Sequence, residues 1–272
     1  MRSEDETRTL VRERYGAIVR EGASCCAPAS CGCGPELAPE GLNVIGNAYA
    51  GVAGRVAEAD LNLGCGVPTR HAALAPGETV LDLGSGAGND AFIARHEVGP
   101  EGRVIGVDMT PEMIAKARAN AAKLGYGNVE FRLGEIERMP VEAGSVDVVI
   151  SNCVLNLVPD KASAFAEMFR VLRPGGRFCV SDIVATGELP PAVQDAAGLY
   201  VGCVAGAMPE ADYLALLGEV GFERVHVAEA KPVALPDDAL APHMDAEELA
   251  AFRASGIVLK SVTVLGSKPT TN

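Results

Sequence analysis

The chain has 272 residues, of which 48% are hydrophobic, and this apolar content excludes a wholly disordered protein. Its 36 acidic and 23 basic residues give a net charge of −13 at pH 7. Because non-specific binding to nucleic acid or to an anionic membrane needs positive charge, neither is expected as a partner. There is no apolar run of about eighteen residues, and the charged start, MRSEDETRTLVRERYG, does not resemble a signal peptide. We therefore expect a cytoplasmic protein without a transmembrane helix, and a monomer.

Residues 1–70 combine a charged helical pattern with a cysteine-rich stretch. Arg12, Arg14 and the acids around them are typical of a solvated helix face. The segment EGASCCAPASCGCGPELAPEG that follows is rich in glycine and proline, which predicts a loop. This loop contains four of the eight cysteines, namely Cys25, Cys26, Cys31 and Cys33.

The middle of the chain, residues 71–184, alternates strand and helix patterns. Thr79–Leu83 is an apolar strand that runs into glycines, and RVIGVDM is the next strand. A helix then begins at Pro111, with Thr110 as its cap, and ends at Gly125. Three more apolar strands follow in NVEFRLGEI, SVDVVISNCVLNL and RFCVSDIV. Strands that alternate with helices and are apolar on both faces predict an α/β fold with a parallel sheet covered by helices.

In such a sheet, ligands bind beyond the carboxyl ends of the strands. The glycine loop Gly84–Gly88 follows the first strand, and Asp108 ends the second, where its carboxylate can accept hydrogen bonds from both hydroxyls of a ribose. Glu135 and Ile136 follow the third strand and suit the edge and face of an adenine ring. The loop has the form G-x-G-x-G rather than G-x-G-x-x-G, and it opens with Asp82 inside the strand. These features favour an adenosyl cofactor with an amino-acid tail over a dinucleotide.

The segments DLGSGAG and GVDMT together resemble the class I S-adenosylmethionine-dependent methyltransferases. The resemblance implies a Rossmann-like, seven-stranded, mostly parallel sheet with an antiparallel last strand, and residues 225–236 and 256–268 could supply its last two strands. It also implies a division into an N-terminal cap (1–70), a cofactor-binding core (71–184) and a C-terminal region with substrate-capping helices (185–272). The cofactor residues it implies are Asp82, Gly84, Ser85, Gly86, Gly88, Asp108, Met109, Glu135, Ile136 and Asn152.

The positions of three other cysteines narrow the range of possible substrates. Cys153 lies at the carboxyl end of the fourth strand, which in this fold faces the transferable methyl group. Cys65 lies just before the core and Cys203 after the fifth strand, both beside glycine. Three converging thiolates would make a soft site that selects thiophilic ions. Cys179 lies inside the apolar fifth strand and is predicted to be a small buried hydrophobic residue.

With LGCGVP, VLDLGSGAGND, SNCVLNLVPDK and the GCVAGA segment in view, the chain resembles the arsenite S-adenosylmethionine methyltransferases over about residues 60–225. The resemblance implies that Cys65, Cys153 and Cys203 bind trivalent arsenic, supplied as arsenite or methylarsenite. It also implies a disulfide relay that is discharged by thioredoxin or by a small thiol such as glutathione. The chain departs from some relatives at Leu63, where they carry an aromatic residue near the sulfonium.

Several alternatives stay open at this stage. Cys31 and Cys33 are the nearest candidates for the relay, but the four N-terminal cysteines could instead bind zinc, capture arsenite in a thiol-rich lid, or have no function. The adjacency of Cys25 and Cys26 departs from the usual zinc spacing. The protein could also methylate a small organic acceptor such as a quinone precursor. A third reading is a thiol-based metalloid-binding protein that performs no catalysis.

Overall fold

A computed structural model describes residues 3–21, 49–194, 204 and 206–270. Its strands are β1 (Thr79–Leu83), β2 (Arg103–Asp108), β3 (Val129–Leu133), β4 (Val146–Asn152), β5 (Leu172–Ala185), β6 (Glu223–Val233) and β7 (Leu259–Ser267). Its helices are α1 (Glu4–Glu21), α2 (Asn89–Val98), α3 (Pro111–Leu124), α4 (Lys161–Val171), α5 (Pro191–Gln194), α6 (Glu210–Val220), α7 (Asp237–Leu240) and α8 (Ala246–Ala254). Two short 3₁₀ turns span Pro68–Arg70 and Leu155–Leu157.

The strands form a seven-stranded sheet in the order β3-β2-β1-β4-β5-β7-β6. All neighbouring pairs from β3 to β5 are parallel, and β7 is antiparallel to both β5 and β6. The predicted α/β class, strand number and antiparallel last strand are therefore confirmed. The strand order reverses between β1 and β4, which places a crevice at their carboxyl ends.

Both faces of the sheet are covered by helices, as the continuous apolar strands predict. Phe92 of α2 and Ala117 of α3 are fully buried on one face, and Phe165 of α4 and Leu217 of α6 are buried on the other. The helix α3 begins and ends as the sequence indicates, with Pro111 in its first turn and Gly125 in the left-handed conformation after it. Within the described residues, no helix is both long and apolar enough to cross a membrane.

Candidate active site

A cavity opens at the carboxyl ends of β1, β2 and β4. The glycine loop after β1 and Asp108 predict a cofactor in this crevice. The predicted cofactor residues that line it are Asp82, Gly84, Ser85, Gly86, Asp108, Met109, Ile136 and Asn152. Cys153 lines the same cavity, so this cysteine and the predicted cofactor residues surround the same space.

The glycine loop after β1 has a backbone that other residues adopt only under strain. Gly84, Gly86 and Gly88 have φ angles of +63°, +51° and +100°. A Cβ atom at Gly84 would collide with the side chain of Val154, and one at Gly88 would lie 2.8 Å from the ring of Phe131. Because Gly84 and Gly88 have neither a side chain nor room for one, the loop turns sharply and its backbone can approach a ligand closely.

Asp108 is oriented into the cavity by two backbone donors. The Gly86 N–H donates to its Oδ2 at 2.9 Å, and the Thr110 N–H donates to its Oδ1 at 2.8 Å. Burial raises the pKa of the Asp108 carboxyl, and these hydrogen bonds oppose that effect. Each carboxylate oxygen can accept a further hydrogen bond, which is what a ribose diol needs.

Two more buried carboxylates, Asp82 and Asp90, line the same cavity. Burial and then the neighbouring charges of Asp90 and Asp108 raise the pKa of Asp82 well above its usual range, and burial raises the pKa of Asp90 to about 6. Asp82 Oδ2 and Asp90 Oδ1 are buried and have no hydrogen-bond partner among the described residues. A bound cation would relieve the repulsion and satisfy these oxygens. S-adenosylmethionine carries a sulfonium and an α-amino group, both positive, so these carboxylates fit that cofactor.

The other end of the cavity is apolar, and Glu135 is not among the residues that line it. Ile136 and Met109 line the cavity and suit an adenine face. The Glu135 carboxylate, expected at the adenine edge, instead lies 3.5 Å from Arg12 and 3.9 Å from Arg8 of α1. The reason is that α1 packs against this end of the site, so these arginines have acidic partners and are not simply a solvated helix face.

Helix α1 covers part of the cavity. Val11 is buried, and Arg8 lies 3.0 Å from Glu137, with which it lines the cavity. A helical pattern predicts this segment but not the surface that it covers. The one signal in the sequence was charge complementarity between its arginines and the acids after β3.

Cys65 and Cys153 come together beside the cavity. Their sulfur atoms and a carboxylate oxygen of Asp182 all lie within 4.8 Å of one another, and all three residues are buried. Cys153 has a φ of +59°, a conformation that costs a non-glycine residue energy, and its N–H donates to the carbonyl of Ser181 at 2.7 Å.

Asp182 is a site residue that sequence reasoning missed. It is fully buried in β5, and burial raises the pKa of its carboxyl to about 7, against an opposing effect of Lys161. The sequence places Asp182 in the predicted fifth strand but gives it no partner. Only the packing of β5 against the Cys65 loop brings its carboxylate to the two thiols. Tyr49 and Asp90, which also line the cavity, were likewise given no role by the sequence.

Of the other six cysteines, Cys179 lies within the described residues and is not part of this pair. Cys179 is fully buried in β5, its thiol donates to the Pro68 carbonyl at 3.1 Å, and burial raises its pKa to about 12. These observations agree with the predicted core role. The remaining candidates lie outside the described residues: Cys25, Cys26, Cys31, Cys33 and Cys203.

Comparison with known families defines the class of this fold and site. The family described as "Methyltransferase domain" matches residues 74–231, which include the glycine loop, Asp108 and Cys153. Together with the seven-stranded sheet, this match makes the chain a class I S-adenosylmethionine-dependent methyltransferase by fold. A solved structure of an arsenic(III) S-adenosylmethionine methyltransferase from Chlamydomonas reinhardtii is 38% identical, with a TM-score of 0.65. That alignment covers 76% of this chain and 68% of the algal chain.

Curated relatives point to the same family. An arsenite methyltransferase of Halobacterium salinarum is 53% identical over 84% of this chain and 60% of its own length. The human arsenite methyltransferase is 39% identical over 53% of this chain and 40% of its own length. The chain belongs to the arsenite S-adenosylmethionine methyltransferase family. It spans about 60% or less of the length of these curated relatives.

Proposed function

We propose that this chain transfers a methyl group from S-adenosylmethionine to trivalent arsenic held by cysteine thiolates. The observation that carries the proposal is the approach of the Cys65 and Cys153 sulfurs within 4.8 Å, with Cys153 also lining the predicted cofactor cavity. A thiol pair buried beside a cofactor site is suited to a soft, thiophilic substrate. Cys203, which follows β5, would supply the third thiolate.

The residues that would hold the cofactor fall into groups, each suited to a different part of S-adenosylmethionine. Asp108 would accept hydrogen bonds from the ribose, and Met109 and Ile136 would contact the adenine. Asp82 and the Gly84 backbone would hold the amino-acid end, where buried negative charge complements a cation. When bound, S-adenosylmethionine supplies an electrophilic methyl group on a positively charged sulfur.

Binding of arsenite needs no net change in proton number. Each thiol that replaces a hydroxide on arsenic releases its proton to that hydroxide, and water leaves. The arsenic then has three sulfur neighbours and keeps its lone pair. Because this lone pair carries no proton, methyl transfer needs no general base, and the task of the protein is to hold the reactants in line at short range.

Methylation forms an arsenic–carbon bond with the arsenic lone pair, and the electrons of the broken sulfur–methyl bond stay on the leaving sulfur. Arsenic is thereby formally oxidised from the trivalent to the pentavalent state. Two thiols that form a disulfide supply the electrons that return it to the trivalent state. We propose that cysteines of the chain, with Cys31 and Cys33 as candidates, form this disulfide, and that a thioredoxin-type protein or glutathione reduces it. We further propose that the protein acts as a monomer in the cytoplasm.

Thiol protection tests the proposal directly. The reduced protein is incubated with and without arsenite, alkylated, digested and analysed by peptide mass. We expect arsenite to protect Cys65, Cys153 and Cys203 from alkylation. Cys179 serves as the internal control, since its thiol donates to the Pro68 carbonyl and is not part of the proposed arsenic site, so its alkylation should be the same in both samples. Full alkylation of Cys65 and Cys153 in saturating arsenite would contradict the proposed binding site.

A further inference from the structure

The side chain of Asn152 connects the two segments that carry the thiols. Asn152 ends β4 and directly precedes Cys153. Its Oδ1 accepts hydrogen bonds from the backbone N–H groups of Cys65 at 2.9 Å and Gly66 at 3.2 Å. Its Nδ2 donates to the Gly66 carbonyl at 2.9 Å. One amide therefore binds the Cys65–Gly66 backbone through both its donor and its acceptor.

The NH₂ group of this amide also has partners on the opposite side. The second N–H of Asn152 Nδ2 is shared between the Tyr49 hydroxyl and, at 3.2 Å, Asp90 Oδ2. The Tyr49 hydroxyl in turn donates to Asp90 Oδ2 at 2.5 Å. The N–H groups of Cys65 and Gly66 can only donate, so the amide oxygen must face the Cys65 loop, which leaves the NH₂ group toward Asp90.

The Cys65 loop is packed too tightly to move without disturbing these contacts. A Cβ atom at Gly64 would lie 2.5 Å from Asn152 Nδ2, and one at Gly66 would lie 2.5 Å from the Ser181 hydroxyl oxygen. The Ser261 hydroxyl donates to the Cys65 carbonyl from the other side. The backbone of Cys65 is thus held at its N–H by β4 and at its carbonyl by β7.

We infer that Asn152 is a positioning residue that sets the Cys65 thiol opposite the Cys153 thiol, an inference that rests on the proposed function. Asn152 is linked to Cys153 by a peptide bond and to Cys65 by hydrogen bonds. The two sulfurs are therefore held together before a thiophilic substrate arrives. A preorganised pair loses less conformational freedom on binding than two independently mobile thiols.

The test uses phenylarsine oxide, which joins two thiols in one arsenic dithiolate and releases one water, with no change in the oxidation state of arsenic. The parent protein is the full chain with serine in place of Cys25, Cys26, Cys31, Cys33 and Cys203. It retains Cys65, Cys153 and the buried Cys179. Affinity for the probe is measured by titration calorimetry in the absence of S-adenosylmethionine, so the readout does not depend on cofactor binding.

Two variants alter the contact in different ways. Asn152→Asp keeps an acceptor for the loop but removes the NH₂ donor and places a second carboxylate beside Asp90. Gly64→Ala keeps Asn152 and forces the loop away from it. We expect each to weaken probe binding at least tenfold. Gly127→Ala is the matched glycine control, because a Cβ atom there meets nothing within 4 Å, and its affinity should stay within twofold of the parent.

In a chain with all its cysteines, Asn152→Asp should also raise the KM for arsenite more than it lowers kcat, which a general loss of folded protein would not do. Unchanged probe affinity in both variants would overturn the inference while leaving the proposed function intact. If Asn152→Asp does not fold, Gly64→Ala decides the matter alone. A parent protein that fails to bind the probe would contradict the thiol pair itself, and with it both proposals.

Discussion

The sulfur atoms of Cys65 and Cys153 lie within 4.8 Å of each other, although one precedes β1 and the other follows β4. Three features of the fold produce this proximity: the left-handed turn at Cys153, the tightly packed glycines beside Cys65, and the amide of Asn152. Because Cys153 also lines the predicted cofactor cavity, a substrate held by the pair would be close to a bound methyl donor.

Replacing single thiols should separate methyl transfer from cofactor binding. We expect Cys65→Ser, Cys153→Ser and Cys203→Ser each to abolish arsenite methylation, because a hydroxyl is a poor ligand for arsenic, while S-adenosylmethionine still binds. Arsenic speciation measures the first property and calorimetry the second. Cys179→Ser is the control: it should lower stability modestly and leave the activity of the folded protein unchanged. Full turnover in Cys153→Ser would contradict the thiolate site.

The carboxylate of Asp108 should contribute to cofactor affinity. Removal of a hydrogen bond to a charged group typically costs about 1.5–3 kcal/mol. Asp108→Ala should therefore weaken S-adenosylmethionine binding by roughly ten- to a hundredfold, as measured by titration calorimetry. Asp238→Ala, at an exposed position, should bind the cofactor like the native chain. Equal affinity in both variants would remove the ribose role of Asp108.

Replacement of glycine by alanine should have opposite effects on the free energy of unfolding at two positions. Gly84→Ala places a side chain at a φ of +63° and against Val154, so we expect a loss of roughly 1–3 kcal/mol in the free energy of unfolding. Gly218→Ala lies in α6 with open space around it and should gain about 0.5–1 kcal/mol, because glycine is unfavourable in a helix. Urea denaturation measures both. A Gly84→Ala protein as stable as the native chain would show that the loop is less constrained than described.

The buried carboxyl of Asp182 should make stability depend on pH. Its pKa is raised from 3.8 to about 7 by burial, so between these values the folded state binds a proton that the unfolded state has released. The free energy of unfolding should therefore fall as pH rises through this window. Asp182→Asn retains an oxygen that can accept the Ile183 N–H but cannot ionise, so this fall should be smaller in the variant.

Denaturant titrations from pH 4 to 8 measure this difference. Relative to the native chain, Asp182→Asn should gain stability as pH rises, by up to roughly 4 kcal/mol. Asp238→Asn, at an exposed position, should parallel the native chain at every pH. A constant difference between the native chain and Asp182→Asn would show that this carboxyl does not change its protonation in the window.

The sheet and the cofactor cavity were predictable because their signals are local. An apolar strand followed by a glycine loop, and a strand that ends in a carboxylate, specify where Gly84 and Asp108 lie. The parallel α/β pattern predicts that these strand ends meet at one edge of the sheet. Local patterns also identified Cys153 at the end of β4.

The residues that the sequence did not reveal enter the site by packing between distant segments. Tyr49 reaches Asp90 and Asn152 from upstream of the core, and Asp182 meets the thiols only because the Cys65 loop lies against β5 and β7. Glu135 was placed at the adenine edge because it follows β3, but the arginines of α1 lie against its carboxylate. Such contacts depend on tertiary arrangement, which neither spacing nor periodicity encodes.

The most direct test of the central claim is one incubation of the purified chain with S-adenosylmethionine, arsenite and a thiol reductant, followed by separation and counting of the arsenic species. The account predicts methylated arsenic that appears only when the cofactor is present and that is absent with Cys153→Ser. No methylated arsenic from a chain that binds S-adenosylmethionine would contradict it and would favour an organic acceptor or arsenite capture without turnover.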